Sequence, residues 1–277
     1  MKRLLIAGFG DIARRAAPAL KRHYAIAALA RQNGFDLDRP ETLVPGSCDA
    51  LLHCAPPPHH GERDLRTANL LAALDRAGSP PARVVYISTS GVYGDCAGAW
   101  VDESRVLDPQ TARARRRADA ERRLMDWCAE RSIALIVLRA PGIYARDRLP
   151  LERLRAGTPA LRPEEDVYTN HIHADDLAGA VSRSLEDDAP AGVYNASDNS
   201  ELRMGEWLDL VADTCALARP PRLSRREIEE RVPAQLLSFM RESRRLDNRR
   251  LKQTLGYRLR YPTVREGLCH EHAARIY

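Results

Sequence analysis

The chain is expected to fold as a doubly wound α/β domain, a parallel sheet with helices on both faces, followed by a smaller mixed lobe. Three observations carry this expectation. Residues 3–13, RLLIAGFGDIA, take a buried strand straight into Gly-x-Gly-x-x-Ala. Strand-like and helix-like stretches then alternate to about residue 138, the pattern of sheets built from βαβ units. Residues 84–95, VVYISTSGVYGD, read as a β-rich run cut off by Ser88, Thr89, Ser90 and Gly91, a buried strand ending at a polar mouth. Ligands of open α/β sheets bind beyond the carboxyl ends of the strands, so hydroxyls there stand where chemistry occurs.

The 277 residues suffice for one large α/β domain with an appended lobe. No run of roughly 18 apolar residues, signal-peptide pattern or lipidation motif is read, so a soluble, cytoplasmic chain is expected. Six scattered cysteines without a C-x-x-C pair suit a reducing compartment. The net charge of +5 comes from arginine, since the only lysines are Lys2, Lys21 and Lys252. Such basicity permits an anionic ligand such as a nucleotide, but an ordinary solvated arginine surface is the favoured explanation of any one cluster. The partner expected is a small molecule, not a nucleic acid or a membrane.

Taken in order, the first strand ends in the turn Gly8-Phe9-Gly10. Gly8 serves the tight turn, Gly10 lets the backbone approach a pyrophosphate, and Ala13 lets helix pack on strand. The helix over 11–21 then offers its free N–H groups, beginning at Asp11 and Ile12, to the phosphates. A second strand spans 24–29. Where an NAD enzyme carries a carboxylate for the ribose 2′-hydroxyl this chain has Arg31, which favours a 2′-phosphate and hence NADP, with NAD possible. The stretch from Arg31 to Asp36 is too short for a crossover helix, so the helix usual at that point is missing or vestigial and any third strand there is a short edge piece or a loop. Residues 50–55 form the next buried strand, and its His53 reads as a core histidine.

A helix over 64–77 is expected to turn Leu65, Ala68 and Leu71/Ala72 inward. After the strand of residues 84–87, a helix over 111–130 should bury Ala120, Leu124, Trp127 and Cys128. Its other face carries Arg113, Arg115, Arg116, Arg117, Arg122 and Arg123, interleaved with Asp119, Glu121 and Asp126 as on a solvated helix. Strands over 133–138, 169–176 and 192–196, helices over 149–157 and 175–185, a helical arginine-rich stretch from 201 and an extended piece over 257–261 complete the reading.

The combination GFGDIA, STSGVYGD, LRAPGIY and NHIHADDLA resembles the extended short-chain dehydrogenase/reductase group, the NAD-dependent epimerase/dehydratase type. The resemblance implies a Rossmann-type domain over 1–138 plus about 173–196, with a substrate-binding lobe from 139–172 and 197–277. It also implies an NAD(P) cofactor, often a nucleotide-sugar substrate, and frequent homodimers. Carried over, Gly8 and Gly10 match the phosphate turn, Asp36-Leu37 the pair that meets the adenine, and Cys54-Ala55-Pro56 the passage along the adenine ribose. Ser88 and Thr89 meet the cofactor, Thr89 matches the catalytic Ser/Thr, and the segment Pro141, Gly142, Ile143 and Tyr144 lies beside the nicotinamide. His173, Asp175 and Asp176 match a structural His-x-Asp-Asp.

One departure is decisive. The family's Tyr-x-x-x-Lys, in which the tyrosine exchanges a proton with the substrate, falls on Arg113 and Arg117. No tyrosine lies between Tyr93 and Tyr144 and no lysine between Lys21 and Lys252, so no shift of alignment restores it. Arg117 could still hold ribose hydroxyls, whereas a guanidinium at 113 stays charged and donates no proton. The expected activity is therefore that of an oxidoreductase or epimerase on a sugar-like or nucleotide-linked carbonyl compound, with Thr89 on the carbonyl and Tyr93 or Tyr144 as substitute acid. The alternative is a catalytically silent NADP(H)-binding regulator or scaffold. His171 with His173, and His270 with His272 beside Cys269, could suggest zinc, but no second ligand pair accompanies either, and no metal is expected. Gly-x-Ser-x-Gly is absent, against a serine hydrolase. Arg241, Arg244, Arg245, Arg249 and Arg250 read as a solvated helix face, or as a receiver for a phosphorylated substrate.

Overall fold

The computed structural model describes residues 1–273, without the side chains of 234–235 and 270–273. Six strands, β1 (Lys2–Ala7), β2 (Tyr24–Leu29), β3 (Ala50–His53), β4 (Arg83–Thr89), β5 (Ala134–Ala140) and β6 (Gly192–Asn195), form one parallel sheet in the order β6-β5-β4-β3-β1-β2. Period-two alternation divides the core between its faces. Leu4 and Ile6 pack with α1 (Asp11–Leu20) and, later in the chain, with the helix Ala174–Ser184; Leu5 and Ala7 face α2 (Leu65–Arg76) and α3 (Ala112–Glu130). This is the Rossmann-type α/β architecture that the alternating pattern predicts. Between β2 and β3 there is no α-helix, only two short 3₁₀ turns, Arg31–Asn33 and Pro40–Thr42, so β2 is the sheet edge. The chain passes from one side of β1 to the other there, and the crevice of such a switch point is where α/β sheets hold ligands.

Side-chain caps set the helix starts. Asp64 accepts from the N–H groups of Arg66 (3.0 Å) and Thr67 (3.1 Å), and Thr111 accepts from Ala114 N at 3.2 Å. The buried face of α2 differs in part from the expected one. Thr67, Leu70, Leu71 and Leu74, one helical stripe, point inward, whereas Leu65 is 59% exposed, contrary to the expected face. In α3 the expected Ala120, Leu124, Trp127 and Cys128 are buried, but so are Arg116, Asp119 and Glu121, which the solvated reading had placed outside.

Four further expectations are corrected. The strand over 169–176 divides at Asn170: Tyr168–Thr169 pairs antiparallel with Leu202–Arg203, and His171–His173 pairs parallel with Gly142–Tyr144. The Asn170 side chain, bonded to Arg244 O and Leu246 N, holds the break, and His173 Nδ1 accepts from Asp175 N to start α4 (Ala174–Ser184). The helix over 149–157 contracts to Leu151–Arg155. The stretch from 201 is not continuously helical: after α5 (Met204–Thr214), Pro220, Pro221 and Pro233 interrupt it, and Arg222–Leu223 and Arg245–Leu246 pair with Ala160–Leu161 and Trp100–Val101. Residues 257–261 form no strand, because their donors serve a carboxylate. Buried Asp176 accepts from Tyr257 Oη (2.9 Å), Arg260 N (2.6 Å) and Tyr261 N (2.9 Å), the structural part expected of it. Smaller apolar clusters, one around Tyr144, Trp207 and Leu208 and one around Leu161, Ile228 and Met240, lie beyond the carboxyl edge of the sheet. Among the described residues no helix is long and apolar enough to cross a membrane.

Candidate functional site

The turn after β1 is shaped by close approach. Gly8 has φ +87°, its N–H bonds Leu29 O at 3.0 Å, and a Cβ there would lie 2.6 Å from the backbone of Ala55. Cys54 N and Ala55 N both donate to Ala7 O at 2.9 Å, which fixes that neighbour. At Gly10 the missing Cβ leaves open space, and this glycine begins α1 with no side-chain cap. The first N–H groups of α1, at Asp11 and Ile12, therefore face that opening without intrahelical acceptors. An open cradle before an uncapped helix N-terminus fits a pyrophosphate. The Asp11 carboxylate at its rim is paired with Arg15 and Arg148, each at 3.0 Å. Phe9 packs on the core and the Ile12 side chain is buried, so only their backbones can serve a ligand.

Farther along the edge, Arg31 is exposed at the end of β2. The Asp36 carboxylate accepts from Asp38 N at 3.0 Å within its own turn, and Leu37 is buried in the core. Burial pushes the Cys54 thiol up to about 12, while Pro56 is exposed just beyond it.

Beyond the ends of β4 and β5 opens a cleft of about 440 Å³. Thr89, Arg117, Pro141, Gly142, Ile143 and Tyr144 all line it, so the structure brings these expected residues together. Thr89 Oγ1 accepts from Gly91 N at 3.2 Å, which leaves its hydroxyl proton free to donate. Arg117 Nη1 is braced by Ile87 O (2.8 Å) and Tyr86 Oη (3.1 Å). Tyr144 lines the cleft but is 1% exposed: its hydroxyl lies against Thr263 O at 3.4 Å, and burial raises its pKa.

Two expected residues are turned away. Ser88 donates to Glu121 inside the protein. Tyr93 donates to Asn195 Oδ1 (2.8 Å) and accepts from Arg139 (2.9 Å), is 1% exposed, and is pushed by burial up to about 12. Both belong to a buried network around the Glu121–Arg139 ion pair at 2.7 Å, which ties α3 to β5.

The cleft also contains Arg153, Trp207 and Glu242, which the sequence does not single out, together with His171, read from the sequence only as half of a zinc pair, and Arg244, read as a solvated face or a receiver for a phosphorylated substrate. Burial lowers the His171 imidazole to about 3, and its ring lies 4.4 Å from that of Trp207. Pairing of 171–173 with 142–144 brings His171 here, and that pairing has no local signature. Five guanidinium groups, from Arg113, Arg117, Arg148, Arg153 and Arg244, face the cleft against one carboxylate, Glu242.

The remaining candidates sort simply. His53 is a buried core residue, with Nε2 2.8 Å from Thr67 Oγ1. Among the described residues no group of three or more His, Cys, Asp or Glu is arranged to hold a metal; the side chains of His270 and His272 lie outside those described. The basic cluster is not one helix face. Arg241 and Arg244 lie in the loop before the short strand Arg245–Leu246, and Arg249 and Arg250 open the helix Arg249–Gln253; Arg241, Arg244 and Arg249 are paired with Glu229, Glu242 and Asp247.

Residues 41–197 match the family model for NAD dependent epimerases/dehydratases, a stretch that begins after the glycine turn. Among solved structures the chain is similar to a functionally unknown conserved protein from Silicibacter pomeroyi, with 29% identity, 99% of both chains covered and a TM-score of 0.81. It shares its fold with human epimerase family protein SDR39U1, solved with NADPH (19% identity, 98% of this chain and 99% of that one, TM-score 0.78). The same holds for UDP-glucose 4-epimerase of Thermotoga maritima, solved with UDP-glucose (16% identity, 99% and 100% covered, TM-score 0.74). No curated protein matches the chain.

Proposed function

The chain belongs to the NAD dependent epimerase/dehydratase family, and from that premise we propose that it binds a nicotinamide dinucleotide, NADP in preference to NAD, and acts as an oxidoreductase or epimerase on a sugar-like or nucleotide-linked carbonyl compound. The observation that carries this reading is the open, uncapped cradle at Gly10, set on the same sheet edge as the cleft containing Thr89. The NADPH and UDP-glucose held by two neighbours of the same fold agree with it. When bound, the nicotinamide supplies the hydride acceptor or donor.

The chain's own residues then do the following. The N–H groups at Asp11 and Ile12 hold the pyrophosphate, and Arg31 meets the 2′-phosphate. Arg117, already braced by Ile87 O and Tyr86, holds the ribose hydroxyls. Thr89 donates its free hydroxyl proton to the substrate carbonyl, orienting and polarising it. A second reading, a catalytically silent NADP(H)-binding regulator, is favoured by one observation: the hydroxyls of Tyr93 and Tyr144 bond elsewhere, to Asn195 and towards Thr263.

Calorimetric titration tests the proposal. NADPH should bind about tenfold or more tightly than NADH, and Arg31→Ala should abolish the difference. Oxidation of NADPH by some member of a panel of carbonyls and nucleotide sugars, lost in Thr89→Ala, supports the enzyme. Tight NADPH binding with no turnover supports the regulator, and failure to bind either dinucleotide rules out both.

A further inference from the structure

We infer that the ligand of this cleft is a small acid, its carboxylate or phosphate held by Arg153 with Arg113 at the mouth, rather than a nucleotide-linked compound. The inference rests on the dinucleotide reading in one respect, that the nicotinamide shares the cleft, and it narrows the proposed substrate to a compact acidic compound without a nucleotide. Its main support is the charge balance. Glu242 is paired with Arg244 at 2.8 Å and Asp11 with Arg148 at 3.0 Å, so among the described residues Arg113, Arg117 and Arg153 face the cleft with no carboxylate at ion-pair distance. Arg117 is braced by Ile87 O and Tyr86 Oη, but Arg153 is under-satisfied: its Nε is sealed without a partner, and Nη2 has only a 3.4 Å contact with Pro159 O. A half-buried guanidinium with idle donors is costly unless an anion takes them, and the planar fork suits a carboxylate or phosphate.

Arg113 is misplaced for stability. It is the second residue of α3, at the positive end of the helix dipole and just ahead of Arg115, Arg116 and Arg117. The residue as a whole is exposed, but its guanidinium lies over the Phe239 ring at 4.4 Å and is partly desolvated there, beside the mouth of the cleft, where it draws anions in.

Among the described residues, the aromatic rings lining the cleft that could receive a nucleobase are already in contact with other side chains. Trp207 is 7% exposed against His171 and Tyr144, and the Tyr168 ring is in contact with the guanidinium groups of Arg203 (5.4 Å) and Arg245 (4.7 Å). Phe239 already carries Arg113. Thr89 and Pro141 to Ile143 line the same 440 Å³, so the nicotinamide end takes part of it and leaves room for a compact substrate.

The test is calorimetric titration of the full chain with malonate, inorganic phosphate, pyrophosphate and UDP-glucose, each with and without saturating NADPH. At least one small anion should bind, more weakly in high salt, and Arg153→Gln should weaken it about tenfold or more while Arg153→Lys restores part. Malonate or phosphate as the tighter arm distinguishes a carboxylate from a phosphate. Thermal unfolding checks that the variants are folded; should Arg153→Gln not fold, exposed Arg113→Gln bears the same test with a smaller loss. Absence of anion binding, binding indifferent to both arginines, or UDP-glucose binding about tenfold tighter than every small anion overturns the inference. Anion binding through Arg153 in a chain that refuses NADPH sinks the dinucleotide reading and leaves this one standing.

Discussion

Asp198 shows how far one side chain's environment departs from its type. It is 4% exposed, with Oδ1 accepting from Ser200 N at 2.8 Å and Oδ2 sealed without a partner. Burial, opposed only in part by the Ser200 hydrogen bonds, raises its carboxyl from 3.8 to about 7. Between those values the folded chain holds a proton that the unfolded chain has released. The stability associated with Asp198 is therefore fully present below about pH 4 and is lost as pH rises through about 7. Asp198→Asn should accordingly stabilise the protein above pH 7 by up to about 4 kcal/mol, with little change near pH 4. Urea unfolding of both forms across that range checks it; equal effects at both ends would show that Asp198 is not the titrating group. Ser88 and Tyr93 teach the complementary lesson. Both sit in a loop whose sequence marks a site, yet their hydroxyls serve the interior.

At the scale of elements, those hydroxyls help anchor α3. The Glu121–Arg139 pair crosses from α3 to β5 at 2.7 Å, with the two side chains 1% and 4% exposed, and Ser88, Tyr93 and Asn195 complete it. Two desolvated charges contribute little net stability compared with apolar packing, but removing one strands the other. Glu121→Gln should therefore destabilise the protein by about 3–5 kcal/mol, and Glu121→Leu combined with Arg139→Met by much less. Denaturant midpoints of the three variants decide this; a double variant as unstable as the single one would show that the charges themselves are needed. The network orients α3, and with it Arg113 and Arg117, towards the cleft. α4 is secured differently, by Asp176 gathering the donors of Tyr257, Arg260 and Tyr261.

For the whole molecule, the cleft is assembled from distant parts of the chain: Thr89 at the end of β4, Arg113 and Arg117 of α3, Arg153 of a short helix, His171 of a short strand and Trp207 of α5. A ligand bridging the glycine turn and this cleft binds only the assembled state. NADPH at about 100 times its Kd should stabilise the fold by about 2.7 kcal/mol, roughly a 5 °C rise in Tm for a chain of this size. NADH at the same concentration should give a smaller rise. A melting curve indifferent to NADPH would count against the shared site.

Much of this was written locally. The turn at Gly8 and Gly10, the missing helix after β2, the course of the sheet strands and the caps at Asp64 and Thr111 follow from turn chemistry, capping and hydrophobic period, which act over a few residues. The lack of any tyrosine between Tyr93 and Tyr144 and of any lysine between Lys21 and Lys252 is equally plain in the sequence. What tertiary structure alone decided is where the functional side chains point. Ser88 turns to Glu121, 33 positions on, and Tyr93 to Asn195, 102 positions on, and nothing in either neighbourhood announces the partner. Arg153 is one arginine among many until folding sets it beside Thr89 and Trp207 in one cleft. Periodicity determines which residues form a strand or a helix, but a side chain's partner is chosen by whatever the rest of the chain brings within hydrogen-bonding reach, and that is a property of the assembled fold.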